Sequence, residues 1–400
     1  MIRSIIRFSA ENRYLVIAVT IVALVLSWWS MRTIPLDALP DLSDTQVIVY
    51  ARWDRSPDII EDQVTYPVTT ALLGAPKVKA IRGFSDFGFS YIYVIFEDGT
   101  EPYWARTRVL EYLSKIGQQL PAGVKIELGP DATSVGWVFQ YALVDRTGKH
   151  ASDELRSYQD WFLRYAVQSV PGVAEVATVG GQVRQYQVTV NPNQLAAYRL
   201  PLDSVISAVR RGNDDVGGRL VELSGREYMV RGRGYVKSIH DLENIVLRAD
   251  GGTPVLIKDV AKVALGPEMR RGVADFDGQG DAVGGIVVMR QGENALNVIQ
   301  RVKSKLNELK PALPPGVEVV TTYDRSELIE RAIDTVTHKL AEEIIIVSLI
   351  ILVFLWHFPS SIVPIVTIPV SVFLAFIPLY FIGLTSNIMS LAGIAISIGV

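Results

Sequence analysis

Residues 115–128 read KIGQQLPAGVKIEL, and residues 305–320 read KLNELKPALPPGVEVV. Each is the end of a helix, a Leu-Pro-x-Gly-Val turn and a β-branched run that predicts a strand. Three kinds of signal recurring in one order point to a duplicated unit. Chance recurrence of turn chemistry is the alternative. Upstream of the first copy, QVIVYARW (46–53) predicts a strand, and Ser56 followed by Pro57 predicts a capped helix start. FSYIYVIFEDG (89–99) alternates up to a turn at Asp98-Gly99, and Val109, Leu113, Ile116 and Leu120 fall at helical spacing. Strand, helix, strand, strand, helix, strand over 46–128 is the order of a split βαβ, ferredoxin-like unit.

Upstream of the second copy, Ala295, Ile299, Val302, Leu306 and Leu309 share one helix face. An earlier strand, helix and strand are expected at 136–145, 153–169 and 173–179, ending in Val-Gly-Gly. Between Gly181 and about Pro267 lies extra chain with a Gly-bounded hairpin candidate, GGRLVELSGREYMVRGRG (217–234). The simplest parse is a second ferredoxin-like unit split by an inserted domain.

The flanks are apolar. Tyr14 to Met31 carries no charge and is bracketed by Arg13 and Arg32, which fits a membrane span. A signal peptide is the competing reading, but Trp28 and Trp29 stand where a small-residue cleavage site would be. Arg3, Arg7 and Arg13 against Glu11 place the N-terminus in the cytoplasm by the positive-inside rule. Further runs at Ile344–Phe358 and Ile362–Leu384, joined by Pro-Ser-Ser, predict a membrane hairpin. Residues 33–343 then lie on the far side, the periplasm of a bacterium. The last run, Asn387–Val400, is roughly 21 Å of helix against the roughly 30 Å of a bilayer core. A chain end there would bury a carboxylate in hydrocarbon at about 2.5–3.5 kcal/mol, so this sequence is expected to be the N-terminal part of a longer one.

The 400 residues include no cysteine, which removes disulfides, thiolate metal sites and cysteine nucleophiles. A net charge of −3 gives no basic face for nucleic acid. His150, His240, His338 and His357 have no partner at metal-ligand spacing, and GDAVGG (280–285) lacks the Lys-Ser/Thr of a phosphate loop. Asp37, Asp41 and Asp44 in DALPDLSD read as turn and cap residues before they read as a cation site. No nucleophile and base pair up, so no catalytic residue and no bound cofactor is expected. Met389 offers a thioether near the start of the last apolar segment, a soft ligand suited to Cu(I) or Ag(I). An apolar filler is the plainer reading of the same residue.

Long stretches carry a resemblance. They are PLDALPDLSDTQVIV (35–49), EDQVTYPVTTALLGAP (61–76), RGFSDFGFSYIYVIFEDGTEPYWARTRVLEYL (82–113), GPDATSVGWVFQYALVDRTGKH (129–150), GPEMRRGVA (266–274), VTTYDRS (320–326) and NIMSL (387–391). They resemble the heavy-metal efflux branch of the resistance-nodulation-division (RND) transporters, nearest to its copper/silver pump type. The resemblance spans nearly the whole chain. ARWDRSPD (51–58) departs from it, lacking a Pro-Gly element often found before that helix.

The resemblance implies an α+β membrane protein of Gram-negative inner membranes: transmembrane helices plus a periplasmic porter region of ferredoxin-like repeats. The parts would be a cytoplasmic N-terminus and first transmembrane helix (1–35), a first porter subdomain (36–130) and a second (131–181 and 268–325). An inserted docking subdomain (182–267) would carry a hairpin that reaches into a neighbouring subunit. A connector (326–343), helices at 344–358 and 361–384, and the start of a fourth at 387–400 would follow. It also implies a secondary active transporter rather than an enzyme: a homotrimer joined to a periplasmic adaptor and an outer-membrane channel, exporting metal against proton influx. In relatives similar to zinc, cobalt and cadmium exporters, acids stand where this chain has Ala395 and Trp137. Their loss, with Met389 kept as a relay ligand, points to Cu(I)/Ag(I) over a divalent ion. The relay aspartate is expected within about one turn past Val400. A divalent-ion pump and a non-transporting membrane scaffold are the alternatives.

Overall fold

The computed structural model describes residues 2–399 other than Val216, Arg219, Gly251 and Arg271. The first repeat has strands Gln46–Arg52, Val78–Asp86, Phe89–Phe96 and Lys125–Leu128. In space their order is Val78–Asp86, Phe89–Phe96, Gln46–Arg52, Lys125–Leu128, each antiparallel to its neighbour. Helices at 57–72 and Pro102–Ile116 connect them, which gives a ferredoxin-like unit. Alternation decides which face is covered: Val47 and Val49 point in, as do Ile92, Val94 and Phe96 on the paired strand. Val68, Leu72, Ala105, Val109 and Leu113 close that core from the helices. Glu101 caps the second helix, accepting from the Tyr103 N–H at 2.9 Å and from the Trp104 N–H at 2.5 Å. The first helix widens into a π-type turn at Glu61–Thr65, just before Pro67, which has no N–H to return to the Gln63 carbonyl.

The second repeat copies this plan. Its strands are Trp137–Asp145, Val173–Gly180, Val283–Met289 and Val317–Asp324, with helices at 152–168 and Ala295–Leu309. The spatial order is Val173–Gly180, Val283–Met289, Trp137–Asp145, Val317–Asp324, position for position that of the first sheet. Its first helix also widens, at Gln159–Leu163. The recurring turn has one geometry in both repeats: the Val124 N–H donates to Pro121 O at 3.2 Å and the Val317 N–H to Pro314 O at 3.0 Å. Gly123 (φ 91°) and Gly316 (φ 86°) sit in the left-handed region that such a turn demands at its third residue.

By contacts the chain divides into one unit of 1–146, 161–179 and 284–400, and another of 147–160 and 180–283. The second unit is wider than the 182–267 insert read from sequence. Side chains explain the difference. Asp153 pairs with Arg184 at 2.7 Å, and Arg156 donates to the Gly180 carbonyl at 2.6 Å, so the start of helix 152–168 belongs with the insert. Inside it, Arg184–Val190 pairs with Ala261–Pro267, and Val205, Leu242, Ile257, Val260 and Val263 form a core of their own. The hairpin is Leu220–Leu223 and Arg226–Met229, turning at Ser224 (φ 54°) and Gly225 (φ 72°). Leu220, Val221, Leu223, Tyr228 and Met229 on it are exposed.

The apolar helices near the two ends of the chain belong to the first unit. Arg13–Thr33 and 358–382 are long and apolar enough to cross a membrane, and Ile388–Ser397 is a shorter apolar stretch. Arg325–Leu355 is one continuous helix, so the expected connector 326–343 and the apolar run after it are not separate elements. Its break falls at Trp356 (φ 43°) and His357, ahead of the Pro-Ser-Ser link read from sequence. Pro359 is in the first turn of the next helix, where a missing N–H costs nothing. Pro378 accounts for the interruption at Ala375, because it cannot donate to the Leu374 carbonyl. Ser27 donates to the Phe373 carbonyl, and the Trp29 and Tyr380 rings meet edge-on at 4.8 Å, so these two helices pack directly.

Candidate functional site

Met389 is placed by a backbone device. After helix Arg13–Thr33, Pro35–Ala38 runs beside Ser386–Ile388. The Ser386 N–H donates to Pro35 O at 3.0 Å, the Asp37 N–H to Ser386 O at 3.1 Å, and the Ile388 N–H to Ala38 O at 3.3 Å. Asn387, only 6% exposed, then caps the last helix. Its Oδ1 accepts from the N–H groups of Met389 at 3.0 Å and Ser390 at 3.1 Å, and Ser390 Oγ accepts from the Asn387 N–H at 2.9 Å. The Asn387 amide also donates to Thr385 Oγ1 at 3.0 Å, so its orientation is fixed.

Met389 itself is 67% exposed. At about 100° per residue it shares a stripe with Gly393 and Ile396, both exposed. Leu391 and Ile394 occupy the other side and pack with Met31, Ile34 and Phe376. Ala395 is half-buried and about 240° around the helix from Met389, so these two positions do not face one ligand. Trp137 is 56% exposed at the start of its strand. Among the described residues no three His, Cys, Asp or Glu side chains stand together as a metal cage. A thioether is a soft ligand, suited to soft monovalent ions more than to hard divalent ones. Val400 and the acid expected beyond it lie outside the described residues.

Beside this strap sits an ion pair that the sequence reading did not single out. Arg325, 6% exposed, donates to the Val135 carbonyl at 2.5 Å and to Asp37 Oδ2 at 3.4 Å. Burial pushes the Asp37 carboxyl up from its ordinary value, although Arg325 and the N–H groups of Ala38 and Leu39 pull it down. Next to it, Asp324 caps the long helix through the Ser326 N–H at 2.9 Å and pairs with Lys303. Burial works to raise the Asp324 carboxyl, but Lys303 and Ser326 hold it below the ordinary value. The other two aspartates of DALPDLSD serve locally: Asp41 accepts from the Ser43 N–H at 3.0 Å and Asp44 meets Lys79 at 3.5 Å. Asp37 and Arg325 both lie in quoted motifs, but 288 residues separate them, and no local pattern joins them.

The chain is similar to known proteins over nearly its whole length. Residues 5–400 match the AcrB/AcrD/AcrF family. The chain is 54% identical to the cation efflux system protein CusA of Escherichia coli K12, over 100% of this chain and 38% of that protein. It is 53% identical to the putative cation efflux system protein SilA of Salmonella typhimurium, with the same coverage of 100% and 38%. Identity to the cobalt-zinc-cadmium resistance protein CzcA of Cupriavidus metallidurans is 34%, over 98% of the chain and 38% of that protein. An X-ray structure of a heavy metal efflux pump superposes with a TM-score of 0.86 at 31% identity, covering 96% of this chain and 39% of the other. The chain thus spans about 38% of the length of the curated relatives it matches.

Proposed function

Since the chain belongs to the AcrB/AcrD/AcrF family, in the heavy-metal efflux branch of the RND transporters, we propose that it supplies the N-terminal part of a proton-driven Cu(I)/Ag(I) exporter. The observation that carries this reading is the likeness over the full chain, 54% to CusA against 34% to CzcA. The choice of metal rests on residues. Met389 offers a soft sulfur, and Trp137 and Ala395 stand where a divalent exporter would place carboxylates.

In this reading the helices Arg13–Thr33 and 358–382 cross the inner membrane, the apolar end of Arg325–Leu355 enters it, and Ile388–Gly399 begins a further span. The two ferredoxin-like repeats form part of a periplasmic porter, and the unit of 147–160 and 180–283 is its docking part. The exposed apolar hairpin at 220–229 reaches a neighbouring subunit of a homotrimer. A periplasmic adaptor and an outer-membrane channel complete the path, and an acid beyond Val400 takes the proton. Met389 passes the ion along the route as one relay ligand among several.

The test uses the full-length gene in bacterial cells stripped of their own copper and silver exporters. Lower silver and copper accumulation and higher tolerance are expected. Zinc or cobalt tolerance without silver tolerance would transfer the reading to the divalent class, and no change in any metal would leave a scaffold.

A further inference from the structure

Arg325 poses a question of cost. It is 6% exposed, its Nε has no hydrogen-bond partner in the structure, and its carboxylate partner Asp37 is 3.4 Å away. A buried pair so incompletely satisfied adds little to stability, and apolar side chains of similar volume serve that purpose as well or better. What the pair does have is position. Arg325 opens the long helix and is tied to the second repeat twice, through the Val135 carbonyl and through its neighbour Asp324, which Lys303 of helix Ala295–Leu309 holds. Asp37 belongs to the strap whose peptide groups bond Ser386 and Ile388, on either side of the Asn387 cap that orients Met389.

We propose that Asp37 and Arg325 are a positioning pair that links the strap beside Met389 to the sheet entered at Val135, so that movement of either is transmitted to the other. The proposal rests on the pump reading above. A displacement of the Ser386–Ile388 segment drags Pro35–Ala38 with it through three peptide hydrogen bonds, and Asp37 is the charged contact through which that strap pulls on Arg325. At 3.4 Å and with an N–H to spare, the contact can tighten or part without dismantling a finished network. Neither residue touches the metal, so their effect falls on the rate of the transport cycle and not on capture of the ion.

The experiment uses the full-length protein in proteoliposomes, with Ag(I) flux measured over a range of silver concentrations and thermal stability measured in parallel. Arg325→Leu is expected to lower the maximal rate about tenfold and leave the half-saturating concentration within about twofold. Arg325→Lys, which keeps the charge, is expected to recover most of the rate. The double variant Asp37→Asn with Arg325→Leu removes the stranded carboxylate. It should regain the stability lost in Arg325→Leu and still turn over slowly. If rate returns together with stability in the double variant, the pair is only structural and the proposal is overturned. A well-folded Arg325→Leu protein with wild-type flux overturns it as well. Should Arg325→Leu fail to fold, the lysine and double variants decide by the same criteria. A wild-type protein that moves no silver refutes the pump reading and removes the pair's role with it, an outcome distinct from the other two.

Discussion

Replacing Gly123 by alanine isolates the backbone term of the turn that both repeats share. Gly123 has φ 91°, and a Cβ there would meet nothing closer than Trp53 Nε1 at 3.9 Å. With room for the methyl, strain comes only from the left-handed backbone, about 1–2 kcal/mol for an L-residue. Lower entropy of the unfolded chain returns about 0.4–1 kcal/mol, so the net cost is about 1 kcal/mol. Gly74 is the matched control. It lies in the same repeat, has ordinary φ and open space around its Cα, so alanine there should stabilise by about 0.4–1 kcal/mol. Hydrogen exchange of the full chain in detergent reads both effects locally, on the paired strands Gln46–Arg52 and Lys125–Leu128. Gly123→Ala should speed exchange there about fivefold, and Gly74→Ala should slow it. Equal acceleration by both alanines, or none by Gly123→Ala, would refute the assignment of the turn as a conformational requirement.

Gly83→Ala should destabilise the first repeat by about 1–3 kcal/mol, because its methyl would press on Thr65 Cγ2 at 2.6 Å, and a melting curve beside that of Gly74→Ala measures it. Asp324 is ionised more readily folded than unfolded, so its contribution to stability is complete above about pH 4 and is lost as pH falls through its depressed folded value. Asp324→Asn should therefore flatten the loss of melting temperature as pH falls below about 4. Asp37, raised by burial, slopes the opposite way and is unchanged in that comparison. Met389→Leu keeps size and apolar character at a site 67% exposed. Under the proposed export function, it should leave expression unchanged and lower silver tolerance, checked by growth in graded silver.

What the sequence made legible, and what it did not, follows the range of the forces involved. The repeats are written in local chemistry: alternation along Gln46–Arg52, the helix start at Pro57, and the Pro-x-Gly-Val turns at 121–124 and 314–317. Such signals act within a few residues and read directly. The wider reach of the unit that contains the insert depends on Asp153 meeting Arg184 and Arg156 meeting Gly180, contacts across 31 and 24 residues that no period encodes. The gap in apolar residues at Pro-Ser-Ser reads as the hairpin link, but the helix break falls earlier, at Trp356 and His357, because Pro359 in a first helical turn starts a helix. Met389 is a candidate by its residue type alone. Its exposed stripe and the strap beside it are not legible in the sequence, because hydrogen bonds from residues 35–38 to 386–388 have no signature in either segment alone.

These placements also bear on how a single sulfur could serve export. A site that holds Cu(I) or Ag(I) firmly needs further soft ligands converging on it, and such a site would slow release. Met389 stands on an outward stripe of its helix while the packed side carries Leu391 and Ile394, so a second ligand would have to come from elements outside that packed group. Under the proposed export function, conduction favours this arrangement, since each stop must bind well enough to receive the ion and weakly enough to pass it on. The rigidity lies in the support, with Asn387 buried, bonded at both ends of its amide and tied through the strap to Asp37. A fixed helix start with a flexible thioether can present sulfur at a constant height while its rotamers reach either way along the path. Asn387→Ala should therefore impair silver flux more than Met389→Leu does, because it loosens the strap and the helix start together. An Asn387→Ala protein with wild-type flux would show that the height of Met389 is of no consequence to transport.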